Sequence, residues 1–107
     1  MSRDLSSIMK QAKKMQEDMA VMQKQLAIKT CEAASGGGMV TAVVNGNQEL
    51  VSLKIDASVV DPKDVDMLQD LILAAVNEAA RRSKQMMSDE MSKLTAGFGV
   101  DIPGMFK

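Results

Sequence analysis

Lys10, Lys13 and Lys14 stand at i, i+3 and i+4, the spacing that sets three ammonium groups along one flank of a helix. Farther along, Arg81, Arg82 and Lys84 make a second basic group. Cations so arranged need no catalytic partner: they neutralise phosphates on a polyanion. On spacing alone, the solvated flank of any amphipathic helix carries the same lysines, so the cluster is a candidate and not yet a site. Arg81 and Arg82 are adjacent and point about 100° apart on a helix. One is expected to face a partner while the other covers apolar surface with its stem.

Little else in the chain is equipped for chemistry. It contains no His, Tyr or Trp and a single Cys. The commonest general base, the commonest zinc ligand and an intrachain disulfide are therefore all missing. Cys31, within the strand-like run TCEAA, reads as a small half-buried hydrophobe, because no His exists to activate its thiol. Gly36–Gly38 resembles a phosphate-binding loop only superficially: no Lys-Ser/Thr follows and no helix begins there, so it reads as a mobile turn. Asp61, Asp64 and Asp66 suffice as helix-start residues without invoking a metal. No catalytic, cofactor-binding or metal-binding residue is expected, and the chain is not read as an enzyme.

Composition bounds the rest. At 107 residues, with 46% hydrophobic and 25% charged, the chain is one folded domain. Phe98 and Phe106 are its only aromatics, so Leu, Ile, Val and eleven Met must fill core and interfaces. No signal peptide and no membrane-spanning run is evident, and a lone Cys suits a reducing compartment; a cytoplasmic location is expected. The net charge of −1 conceals a pattern. Six basic and three acidic residues fall in 1–29, two and eight in 30–79, and five and three in 80–107. Basic charge sits at both ends, which points weakly to a polyanion partner.

The elements that must carry the cations follow from periodicity. Leu5, Ile8, Ala12, Met15, Met19, Met22 and Leu26 alternate steps of three and four, the seam of an amphipathic helix. From residue 28 the period changes to two. MVTAVV and QELVSLKI flank Asn45-Gly46, a strong hairpin signal if both turn residues take positive φ. Val40, Ala42 and Val44 are expected on one sheet face, and Val51, Leu53 and Ile55 on one face of the next strand. Asp61 is expected to cap a second helix with Pro62 in its first position. That helix presents Val65, Leu68, Ile72, Ala75, Val76 and Ala79, continues through Met86, Met87, Met91 and Leu94, and uses its alanines for close approach to the sheet. The expected fold class is α+β: helix 5–28, antiparallel strands 29–35, 39–44 and 49–55, and helix 62–94 in a single domain over 1–94. Residues 95–107, rich in Gly and with a Pro, are expected to be a flexible tail.

Helices of about 33 and 50 Å outrun a core whose radius of gyration would be about 13 Å for a compact 100-residue domain. Their outer halves must project, with the start of the first helix expected against the end of the second as an arm flanked by the basic residues. A three-stranded sheet also leaves edges that two-fold pairing would cover, so a homodimer is expected. Without aromatic platforms for single strands, duplex DNA held through its backbone is the favoured polyanion.

The helix string MKQAKKMQEDMAVMQKQL, the Gly-rich turn before MVTAVVNG, the KID run at 54–56 and MLQDLILAAVNEAARR together resemble the YbaB/EbfC family of bacterial nucleoid-associated proteins. The resemblance spans nearly the whole chain. It implies a tweezer-like homodimer with helices projecting from a central sheet, duplex DNA binding, and roles in nucleoid organisation and gene regulation. It brings no catalytic motif and no short DNA-reading signature, so the site rests on Lys10, Lys13, Lys14, Arg81, Arg82 and Lys84. An alternative is a chaperone-like or protein-interaction module that holds apolar helices in a Met-rich groove between the arms.

Overall fold

Each change of period in the sequence becomes a change of element. The computed structural model describes residues 2–97, in the order α1 (Ser2–Ile28), β1 (Thr30–Ser35), β2 (Val40–Asn45), β3 (Leu50–Ile55) and α2 (Val65–Gly97). The strands form one antiparallel sheet in the order β1-β2-β3. The expected α+β class is the observed one. Residues 98–107, most of the expected tail, lie outside the described residues.

The core lies between one face of the sheet and α2. Ala33 of β1, Val40, Ala42 and Val44 of β2, and Ala75 and Ala79 of α2 are buried together. Leu71, Ile72 and Val76 close the margin. The two buried alanines let α2 sit close to the strands, as small residues at a helix–sheet contact should. Hydrogen bonds fix its direction. Ser35 Oγ donates to Leu71 O at 2.6 Å, and Ser83 Oγ to Asn45 O at 2.7 Å. Ser83 is fully buried and also accepts from Gln48 Nε2 at 2.8 Å, so its hydroxyl is satisfied in both directions. Thus α2 runs antiparallel to β1 and covers β1 and β2. It does not extend over β3, whose Leu50, Leu53 and Ile55 remain 46%, 37% and 37% exposed.

Three expectations need correcting. The hairpin is not closed by a two-residue Asn-Gly turn. Asn45 stays in β2, pairing its N–H with Glu49 O at 2.9 Å, and Gln48 takes the left-handed conformation at φ 66°. The result is a Gly46–Gln48 loop, braced by Asn45 Oδ1, which accepts from Asn47 N and Glu49 N. Gly46 is needed for another reason: a Cβ there would lie 2.0 Å from Leu26 O, where α1 ends against the turn. Next, a bulge between Val43 and Val44 sets Leu50 opposite Val44 and Leu53 opposite Ala42. Val51 is the extra residue, and so Leu50 replaces it in the row with Leu53 and Ile55.

The third correction concerns the start of α2, at Val65 rather than 62. Asp61-Pro62-Lys63-Asp64 forms a separate turn, with Asp64 N donating to Asp61 O at 2.9 Å and Lys63 N to Asp61 Oδ1 at 2.9 Å. Asp64, not Asp61, then caps the helix by accepting from Met67 N at 3.3 Å. The fixed φ of Pro62 suits the second position of a turn as well as the first of a helix, and the turn prevails. Smaller shifts occur elsewhere: α1 begins at Ser2, the strands start one residue later than expected, and α2 runs on to Gly97.

Candidate nucleic-acid interface

Helix α1 has no Gly or Pro from Ser2 to Ile28 to interrupt it, and it is exposed through its first half and increasingly covered from Met15 to its end. Burial along its seam is graded. Leu26 is buried, Met22, Met19 and Met15 are half-buried, and Ile8 and Leu5 are about three-fifths exposed, at 60% and 61%. The gradient has a geometric cause. Lys29 Nζ lies 3.8 Å from Glu90 Oε1, so the junction between α1 and β1 sits beside the last quarter of α2. Helices of 27 and 33 residues span about 40 and 50 Å, whereas the molecule is 75 Å long. The two helices are therefore staggered, with α1 extending well beyond Gly97. The expected pairing of the start of α1 with the end of α2 does not occur among the described residues, which take α2 only as far as Gly97 and leave Leu5, Ile8 and Met9 exposed.

Lys10, Lys13 and Lys14 are on this projecting part, all exposed. Among the described residues no ion pair engages any of them. Lys10 lies about 27 Å along the helix from Ile28, away from the acidic middle of the chain. The structure brings these three together as expected, and their ammonium groups are uncompensated.

The second basic group is different. Glu78 holds both arginines: Arg81 Nε donates to Glu78 Oε2 at 3.0 Å with a second close contact from its Nη2, and Arg82 Nε donates to Glu78 Oε1 at 3.3 Å. The guanidinium of Arg81 keeps the Glu78 carboxyl below its usual range, and Glu78 in turn raises Arg81. Arg82 Nη1 also donates to Glu32 O at 2.8 Å, tying α2 to the open edge of β1. Arg82 thus ties α2 to β1, and Arg81 is the more exposed of the two but is paired with Glu78. Lys84 is exposed one turn on. Glu78 is not among the residues expected at the site, although its i, i+3 and i, i+4 spacing to the two arginines is the sequence signal for this pairing. The shallow concavity beside them mixes Arg81, Arg82 and Lys93 with Asp89 and Glu90, so it is not a cationic surface.

The two basic groups do not converge within one chain. Nor do the described residues offer another chemistry. They hold no cluster of three or more His, Cys, Asp or Glu placed for a metal, and no helix long and apolar enough to cross a membrane. Cys31 is half-buried with its Sγ 3.7 Å from Met86 Sδ, a packing contact.

The described residues thus present a projecting helix with an exposed lysine flank on a small α+β core. Comparison with known proteins specifies the class. The model of the YbaB/EbfC DNA-binding family matches residues 1–98, and the chain belongs to that family. Among its relatives, a nucleoid-associated protein of Syntrophobacter fumaroxidans is 54% identical over 101 residues, covering 92% of each chain. Nucleoid-associated protein TTE0040 of Caldanaerobacter subterraneus is 52% identical over 103 residues, covering 96% of this chain and 91% of that one. The fold recurs in the crystal structure of the uncharacterized protein HP0035 from Helicobacter pylori. The match has a TM-score of 0.72 and 24% identity, over 83% of this chain and 94% of that one.

Proposed function

We propose that this protein is a nucleoid-associated protein that binds duplex DNA as a homodimer, mainly through phosphate contacts from its projecting helices. The observation that carries the reading is the trio Lys10, Lys13 and Lys14, uncompensated and exposed on an arm that leaves the core. Family membership makes DNA the polyanion, and relatives about half identical in sequence bear the nucleoid-associated name. Backbone contacts fit a site built from lysines, which act as point charges and read no base pattern. Arg81, Arg82 and Lys84 form the secondary set, weaker because Glu78 competes for the guanidinium groups. A nucleoid location and a part in nucleoid organisation or gene regulation follow from this activity.

The uncovered inner face of β3 supports the dimer. Leu50, Leu53 and Ile55 continue the core row of β2 but lack a helix above them. A second copy would cover that row and the free edge of β3 together. It would also supply a second lysine arm, giving the site the two-sidedness a duplex needs.

The test is a titration of duplex DNA at low and physiological salt, with wild type beside the triple variant Lys10→Gln, Lys13→Gln, Lys14→Gln. Wild type should bind at low salt and weaken steeply as salt rises. The triple variant should lose affinity similarly on unrelated sequences, with the salt slope reduced by about 0.9 for each phosphate contact removed. Equal binding by the two proteins would remove the arm from the site. The protein-interaction alternative has less support: the Met seam it relied on is half-covered along Met15, Met19 and Met22.

A further inference from the structure

Asn-Gly occurs once in the sequence, at Asn45-Gly46, and it is a pair that can react with itself. In a flexible peptide the Gly46 backbone nitrogen attacks Asn45 Cγ and gives up its proton. The bond from Cγ to the side-chain nitrogen breaks, and ammonia leaves a succinimide. One water then opens the ring to aspartate or to isoaspartate, in which the main chain passes through the former side chain. Glycine favours the attack because it has no side chain in the way.

The ring has a strict backbone requirement. Cβ of Asn45 and the Gly46 nitrogen must be eclipsed about the Cα–C bond, a ψ outside both the extended and the right-handed helical regions. Asn45 is extended, as the last residue of β2. Reaching the reactive ψ means turning the peptide plane between Asn45 and Gly46, and that plane is held on both sides. Asn45 O accepts from Ser83 Oγ at 2.7 Å and from Gln48 N at 3.1 Å. Gly46 is buried against the end of α1, with no room for a Cβ beside Leu26 O. The side chain is engaged as well. Asn45 Oδ1 accepts from Asn47 N at 2.9 Å and Glu49 N at 3.0 Å, and Nδ2 donates to Glu49 Oε1 at 3.0 Å.

We propose that Asn45-Gly46 is a deamidation site kept latent by the fold, with Ser83 holding the peptide plane and Glu49 holding the side chain. Its conversion acts on the arm. A new carboxylate at position 45 stands beside that of Glu49, where the amide had made a hydrogen bond. Isoaspartate also lengthens the main chain just before Gly46, the residue against which Leu26 O rests. The seat of α1, and with it the direction of the lysine arm, therefore depends on an intact amide at Asn45.

Peptide mapping by mass spectrometry after incubation at mildly alkaline pH tests the latch. The folded protein should form aspartate and isoaspartate at position 45 at least about tenfold more slowly than the synthetic peptide TAVVNGNQEL, since several hydrogen bonds must break first. Ser83→Ala and Glu49→Ala should each accelerate the reaction severalfold. Glu49→Gln keeps an acceptor for Nδ2 and should stay near wild type. Val76→Ala trims the margin of the core away from the hairpin and controls for global unfolding. The converted protein, separated by ion exchange, should show faster hydrogen exchange at residues 23–28, with the first half of α2 unchanged. Equal rates in protein and peptide would overturn the proposal, as would equal acceleration by Val76→Ala and Ser83→Ala at matched stability. A rate unmoved by Ser83→Ala or Glu49→Ala would remove that residue from the latch. Unchanged exchange at the end of α1 after conversion would overturn the link to the arm.

Discussion

Among single residues, the balance between Glu78 and its two arginines sets how much of the basic charge on α2 is available. The Glu78 carboxyl is held below its usual value of 4.5 by Arg81. A depressed carboxylate pKa means that the pairing is fully present above that usual value and is lost as pH falls through the lower, folded one. Glu78→Gln should therefore release both guanidinium groups and raise duplex DNA affinity roughly two- to fivefold at low salt. The difference from wild type should stay constant between pH 5 and 8, since Glu78 remains ionised throughout; fluorescence anisotropy across that range measures it. Gly46 governs a different property. Its missing Cβ leaves room for the carbonyl of Leu26, 2.0 Å from where that atom would stand. Gly46→Ala should cost about 2 kcal/mol or more in urea unfolding, because neither backbone can retreat without moving the end of α1 or the hairpin. In the sequence, Asn45-Gly46 identified the turn. It could not reveal that the glycine serves helix packing, because that contact joins residues twenty positions apart.

At the level of elements, legibility followed locality. The three-four alternation from Leu5 to Leu26 marks α1 because each residue's neighbours in the helix are its neighbours in sequence, and α1 is helical throughout that stretch. Lys10, Lys13 and Lys14 fall together on one exposed stretch of α1 for the same reason. The bulge at Val43/Val44 had no such signature: it depends on the pairing of two strands, and it moved Leu50 into the row where Val51 was expected. The start of α2 was misplaced because Asp61-Pro62 is equally good chemistry for a turn and for a helix start. The arm was misread because its pairing depends on how far one helix overlaps the other, a tertiary quantity. From the uncovered row on β3 comes a test at this scale. Leu53→Asp leaves the buried core residues in place but sets a charge in the proposed interface. Light scattering at micromolar concentration should show the wild type at twice the chain mass and the variant at the chain mass, with DNA affinity reduced in parallel. A wild-type monomer would end the dimer reading.

For the whole molecule, charge distribution matters more than its sum. A net charge of −1 provides no general attraction to DNA, so the proposed binding mode rests on local basic groups, the arm foremost, with the Asp-rich segment around Asp56–Asp70 kept away from the duplex. Affinity should accordingly fall by at least tenfold between 50 and 200 mM salt, roughly the loss expected when several phosphate contacts are given up. A titration insensitive to salt would contradict a backbone-led mode. The stagger of the helices has one more result. At 75 Å long and 16 to 25 Å across, with a radius of gyration of 20.2 Å against about 13 Å for a compact chain of similar length, the protein has the friction of a rod. Judged against globular standards, it will leave a gel-filtration column early and look heavier than it is. The number of subunits should therefore be counted by sedimentation equilibrium, in which shape cancels and mass alone remains.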